Sequence, residues 1–308
     1  NMGQAKAAVS ACLGALSPED SFGIVAFDDD VDLLSPQLLK ADAQGRSSAQ
    51  AFLDTIDARG GTELLAGIQA AARLLRPEGG DILVATDGQV FGTEPLIAEP
   101  RAAGLRVHCL GIGSASQDRF LALLARETGG VSRFVTPRER VDRNAVELFA
   151  AIGRPVATDV RYEVQGLKGA VIAPAPPDTV FAGTPAVILG SCEGEGTGLL
   201  RVTWNEAGEA RTLDVPIEVR PAGPGETLKL LQGARLITDA DVRTPEETGA
   251  RRARRVQDSR RERLIEELSR EYGLASRRMA LVAVVERAGD TAGELPQTQI
   301  VPVGMPED

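Results

Sequence analysis

Two short segments constrain folding most. Asp81–Ala85 (DILVA) and Arg106–Ile112 (RVHCLGI) are apolar at nearly every position, without polar–apolar alternation. A strand of that kind has both faces covered, as in the middle of a parallel sheet flanked by helices. Helical stripes stand on either side. Ala8, Val9, Cys12, Leu13 and Leu16 share one face over residues 3–16, and Leu64, Leu65, Ile68, Ala72 and Leu75 share another. Phe120, Leu121, Leu124 and Thr128 mark a helix closed by Gly129-Gly130, and Ser47–Ile56 and Asn144–Ile152 also read as helices. Ser21–Phe27 reads as one strand, Asp28-Asp29-Asp30 as a turn, Val31–Leu34 as a short strand pairing back, and Val131–Val135 as a further strand. The order predicts an α/β fold: a doubly wound, mostly parallel sheet with helices on both faces. Ligands on such sheets gather at the carboxyl ends of the strands. The loops after Phe27, Ala85 and Ile112, and the loop opening at Gly60, are therefore the candidates.

Composition removes several classes of function. The 308 residues hold 34 Lys+Arg against 44 Asp+Glu, a net charge of −10, which disfavours nucleic acid and anionic membranes as general partners. One histidine, His108, excludes any site needing two. Three scattered cysteines frame neither a disulfide scaffold nor a CxxC zinc site, which tilts the location towards the cytoplasm. No apolar run reaches the about 18 residues of a spanning helix. The chain opens on Asn1 inside a helical pattern, which reads as a fragment truncated upstream; Met2 as an internal start is the alternative.

In the loops, Gly60-Gly61-Thr62-Glu63-Leu64 puts a hydroxyl where a helix N-cap belongs, and Thr86-Asp87-Gly88-Gln89 puts a carboxylate after a strand. Hard cations take such oxygen ligands. A cap and a turn explain Thr62 and Asp87 equally well, and two ligands are not a site. Gly111-Ile112-Gly113-Ser114-Ala115-Ser116 lacks a glycine of the dinucleotide fingerprint and follows a late strand. His108 and Cys109 are adjacent in a strand, point to opposite faces and read as core residues.

As an ordered set, FGIVAFDDDV, GGTEL, the strand ending in TDGQ, LRVHCLGIG and DRFLALLARETGG resemble the von Willebrand factor A domain over residues 1–153. The resemblance implies a metal-ion-dependent adhesion site with Thr62 and Asp87 as metal ligands. Its third loop, Asp-x-Ser-x-Ser after a central first strand, is absent from this sequence. It implies Mg²⁺, with Mn²⁺ or Ca²⁺ as alternatives, and a protein partner whose Asp or Glu carboxylate completes the shell. Without the first strand, two strand edges should stand open.

From Arg154 the pattern changes. Val160–Val164, Val171–Ala173, Ala186–Leu189, Leu199–Trp204 and Leu213–Val219 read as strands of an antiparallel unit over 154–222. A helical segment follows over 223–288, with helices at Thr227–Ile237, Glu246–Ser259 and Glu262–Tyr272 and an apolar strand at Met279–Val285. A polar tail, 289–308, reads as extended or disordered. Ile265-Glu266-Glu267-Leu268-Ser269, Glu271-Tyr272-Gly273-Leu274-Ala275-Ser276 and Val282-Ala283-Val284-Val285-Glu286 are similar to the region after the A domain in inter-alpha-trypsin inhibitor heavy chains. They are closer to bacterial relatives with a VIT domain upstream. Ten arginines against five acids leave residues 251–278 at +5, which reads as a solvated helix with Arg–Glu pairs.

These readings favour a non-enzymatic protein-interaction module with a divalent-metal site. A metal-free scaffold is the alternative, and a metal-assisted hydrolase with Asp87 as ligand comes last, since the other strand-end loops offer no nucleophile or base.

Overall fold

The computed structural model describes residues 2–57, 63–75, 80–86, 93–113, 118–136, 139–152, 155–220, 226–242 and 251–280, with backbone only at 93, 94, 118, 242 and 251–258. The first half runs α1 (Met2–Ala15), β1 (Ser21–Phe22), β2 (Val25–Phe27), β3 (Val31–Leu33), β4 (Leu39–Lys40), α2 (Ala43–Thr55) and α3 (Leu64–Leu75). It continues β5 (Asp81–Thr86), α4 (Thr93–Ala102), β6 (Arg106–Ile112), α5 (Asp118–Glu127), β7 (Ser132–Val135) and α6 (Val141–Ile152).

β5, β6 and β7 form a parallel sheet in that order, with Asp81 opposite Arg106 and Thr86 opposite Gly111. Both faces are covered. On one, Ile82, Val84, Val107 and Cys109 pack with Leu64 and Ile68 of α3, Leu96 and Ile97 of α4, and Phe120, Leu121 and Leu124 of α5. On the other, Leu110, Ile112 and Val135 pack with Ala8 and Cys12 of α1 and Ala145, Leu148 and Ile152 of α6. The apolar character of β6 at successive positions thus feeds two cores, and the sheet is doubly wound.

Several expected elements differ. Ser21–Phe27 is not one strand: β1 pairs with β4 and β2 with β3, and the chain changes partner at Gly23, packed against Leu38 and Leu74. α2 begins at Ala43 rather than Ser47, because the Asp42 carboxylate caps it by accepting the Gly45 N–H at 2.8 Å. Among the described residues β2 pairs only with β3, and β5 only with β6, so each has one edge without a strand.

The second half runs β8 (Pro155–Gln165), β9 (Val171–Ile172), β10 (Val180–Phe181), β11 (Gly190–Ser191), β12 (Gly196–Glu206), β13 (Glu209–Val219), α7 (Thr227–Val242) and α8 (Arg251–Tyr272). β10, β8, β12 and β13 make an antiparallel sheet in that order. The expected strand at Ala186–Leu189 is absent: Pro185 before it offers no N–H, and β11 pairs with β9 instead. The two expected arginine-rich helices are one, since neither Gly nor Pro interrupts Arg251–Tyr272. Residues 281–285 of the expected apolar strand, and the tail 289–308, lie outside the described residues.

The halves are joined beneath the amino ends of the parallel strands. Phe181, 2% exposed, enters the core formed by α1, α6 and the sheet. Gly129, at φ +72°, turns the chain out of α5, and a β-carbon there would press on Asp178 and Thr179. Arg126 of α5 pairs with Asp239 of α7 at 2.6 Å.

Candidate functional site

Three segment ends meet at the opposite, carboxyl rim of the sheet. α3 and β5 form a hairpin of matched length, about 18 Å of helix against about 20 Å of strand. Leu75, at the end of α3, lies against Gly80, just before β5, so the start of α3 stands level with Thr86. α1 also packs against β5, and Ala5, Leu83 and Ala85 border the same core. β2 ends at the same rim, where Asp28 accepts the Glu63 N–H through its backbone carbonyl at 2.8 Å. That bond ties the entrance of α3 to the β2–β3 turn. The turn is closed by Asp28 N–H to Asp30 C=O (2.9 Å) and Asp30 N–H to the Asp28 carboxylate (2.8 Å).

Thr62 and Asp87 both fall outside the described residues, each one position from a described residue, Glu63 and Thr86. α3 begins at Leu64, and Gly67 N–H donates to Glu63 C=O at 3.2 Å. Thr86 is buried at 7% exposure. Among the described residues no group of three or more His, Cys, Asp or Glu is placed to hold a metal.

Sequence reasoning missed a second polar cluster, at the amino end of the strands. Arg106 donates to both Asp81 oxygens (2.6 and 3.0 Å), and His108 Nε2 lies 3.1 Å from Asp81 Oδ1. Val131 N–H donates to His108 Nδ1 at 3.0 Å, so Nε2 carries the proton and donates to Asp81. Burial would raise the Asp81 carboxyl, but the hydrogen bonds from His108 and Arg106 outweigh it and hold it at about 2. The imidazole is fully buried and meets the Phe181 ring edge-on at 5.4 Å. Cys109 lies in the other core; burial pushes its thiol far above the ordinary range and that of Cys12 up to about 11. Neither is a nucleophile. Both residues of the His108-Cys109 pair are core residues on opposite faces, as the two-residue period requires.

Comparisons with known proteins agree with this architecture. Residues 2–134 match the family model of the von Willebrand factor type A domain. Inter-alpha-trypsin inhibitor heavy chain H4 from Homo sapiens is 26% identical over 65% of this chain and 23% of its own length. Human von Willebrand factor A domain-containing protein 5A is 29% identical over 50% of this chain and 20% of its own. The chain therefore spans about a quarter or less of these curated relatives. A solved structure, a von Willebrand factor type A protein from Catenulispora acidiphila, superposes with a TM-score of 0.51 at 19% identity, covering 87% of this chain and 77% of that one. Residues 2–134 are thus similar to a von Willebrand factor type A domain. Such domains are typically protein-interaction or adhesion modules and often bind a divalent metal.

Proposed function

We propose that the α/β half captures a protein partner through a divalent cation, with Mg²⁺ as the expected ion. The meeting of the entrance of α3 and the ends of β2 and β5 at one rim carries this reading. In it, Thr62 supplies a hydroxyl and Asp87 a carboxylate from the segments adjoining that rim. In von Willebrand factor A domains an Asp-x-Ser-x-Ser loop supplies the remaining oxygens, and this sequence holds no such run. Hard oxygen donors of this kind suit Mg²⁺. The cation, when bound, supplies positive charge that is only partly neutralised, and a partner's Asp or Glu carboxylate completes its shell. The amino terminus of α3 adds partial positive charge at the same rim, which favours an approaching carboxylate on an otherwise acidic protein. The VIT-like arrangement and a bacterial heavy-chain-like identity remain part of this proposal, resting on the motifs between Arg260 and Glu286.

The test is Mn²⁺ binding, read by electron paramagnetic resonance, on the polypeptide of the full reading frame. One bound ion is expected. Asp87→Ala and Thr62→Ala should each weaken binding by about tenfold or more, with the circular dichroism spectrum unchanged. Binding that survives both substitutions overturns the reading. A metal-free scaffold is favoured by one observation: the Glu63–Asp28 backbone bond fixes the entrance of α3 without any cation. On that reading partner capture is insensitive to EDTA.

A further inference from the structure

The sole histidine of the chain stands where its two halves meet, and both of its ring nitrogens are engaged. His108, fully buried on β6, donates from Nε2 to Asp81 of β5 (3.1 Å) and accepts the Val131 N–H at Nδ1 (3.0 Å). Val131 ends the short turn from α5 into β7. The same turn carries Gly129, which rests against Asp178 and Thr179 of the second half. Phe181, two residues beyond Thr179, meets the imidazole itself, with ring centroids 5.4 Å apart. The charged groups at the ring come from the sheet: Asp81 from β5, and Arg106 of β6, which holds the same carboxylate. β10 brings the apolar Phe181, with Asp178 nearby at Gly129. The core beyond, from α1 and α6, is apolar apart from the Cys12 thiol, which burial keeps protonated.

We infer that His108 is a proton-operated latch on the turn between α5 and β7. The reason is stereochemical. A neutral imidazole has one donor and one acceptor, and both are used here; an imidazolium has two donors and no acceptor. The second proton goes onto Nδ1, where it faces the Val131 N–H, so that bond has to break. The bond to Asp81 survives, because Nε2 is a donor in both forms. Imidazoles as a class exchange this proton between about pH 5 and pH 8. Asp81 is ionised throughout that range and remains as counter-ion to the charged ring. The release is local. Cys109 N–H still donates to Val131 C=O (2.9 Å) and Val107 N–H to Thr128 Oγ1 (3.1 Å), which tether the turn to β6. What loosens is the seat of Gly129 and Phe181, where the second half is joined to the first. The joint is firm at neutral pH and slackened by acid.

NMR of the isotope-labelled 308-residue chain tests this, since one histidine gives one unambiguous imidazole. At about pH 8 its nitrogen signals should show the Nε2–H tautomer. On acidification the protection factor of the Val131 amide should fall by about tenfold, with the same midpoint as the imidazole titration. The β5 amides bonded to β6 should keep their protection. His108→Asn retains an acceptor and a donor but does not titrate, and should show no such step. Where that variant does not fold, the coincidence of midpoints in the unsubstituted chain decides. The proposal fails if the imidazole titrates while Val131 keeps its protection, or if a folded His108→Asn loses it over the same range. It also fails if the ring stays neutral until the whole domain unfolds.

Discussion

Asp81 receives Arg106 through both oxygens and His108 through one, and this trio sets how the domain responds to acid. Its folded value of about 2 lies below the ordinary 3.8. A depressed carboxylate contributes stability that is fully present above the unfolded value and is lost as pH falls through the folded one. Asp81→Asn should therefore destabilise at pH 7 by about 1–2 kcal/mol, allowing for partial solvent screening. The gap to the unsubstituted protein should close between about pH 4 and pH 2, as urea titrations across that window would read. His108→Leu should cost about 1–3 kcal/mol at neutral pH by leaving the half-buried Val131 N–H without its acceptor. The two-residue period made the opposed faces of His108 and Cys109 legible in the sequence. The Asp81–His108 bond was not legible, because it spans 27 positions and depends on the register between β5 and β6.

Elements announced themselves when they were long and periodic. β5, β6, α3 and α5 follow from apolar spacing alone. The break in Ser21–Phe27, the early start of α2 and the loss of the strand at Ala186–Leu189 depend on partner choice, a cap and a proline, which apolar spacing does not encode. The alternation predicts a candidate site in the carboxyl-end loops, whereas the Asp28–Glu63 tie is not legible in the sequence, because it links backbone atoms of segments distant in sequence. Strand neighbours also predict local opening. Among the described residues β6 is bonded on both sides and β5 on one. Hydrogen exchange followed by NMR should find the β6 amides among the slowest, and the β5 amides that point away from β6 markedly faster. Equal protection along both edges of β5 would mean that a further strand pairs there.

On the scale of the molecule, the switch from periodic helices to alternating strands near Arg154 was visible, but not the way the second half is anchored. Phe181 completes a core otherwise built from the first half, and Arg126–Asp239 ties α5 to α7. Phe181→Ala should cost about 3–5 kcal/mol. Calorimetry should show residues of both halves unfolding in one transition, and the substitution should lower it or split it. The rim and this joint lie at opposite ends of β5 and β6, whose six paired positions run from Asp81–Arg106 to Thr86–Gly111. Tension between the two ends therefore runs along the strands. It loads the backbone bonds between β5 and β6 in shear, all together, rather than peeling them one at a time, so the domain resists stretching best along the axis on which a partner held at the rim would pull.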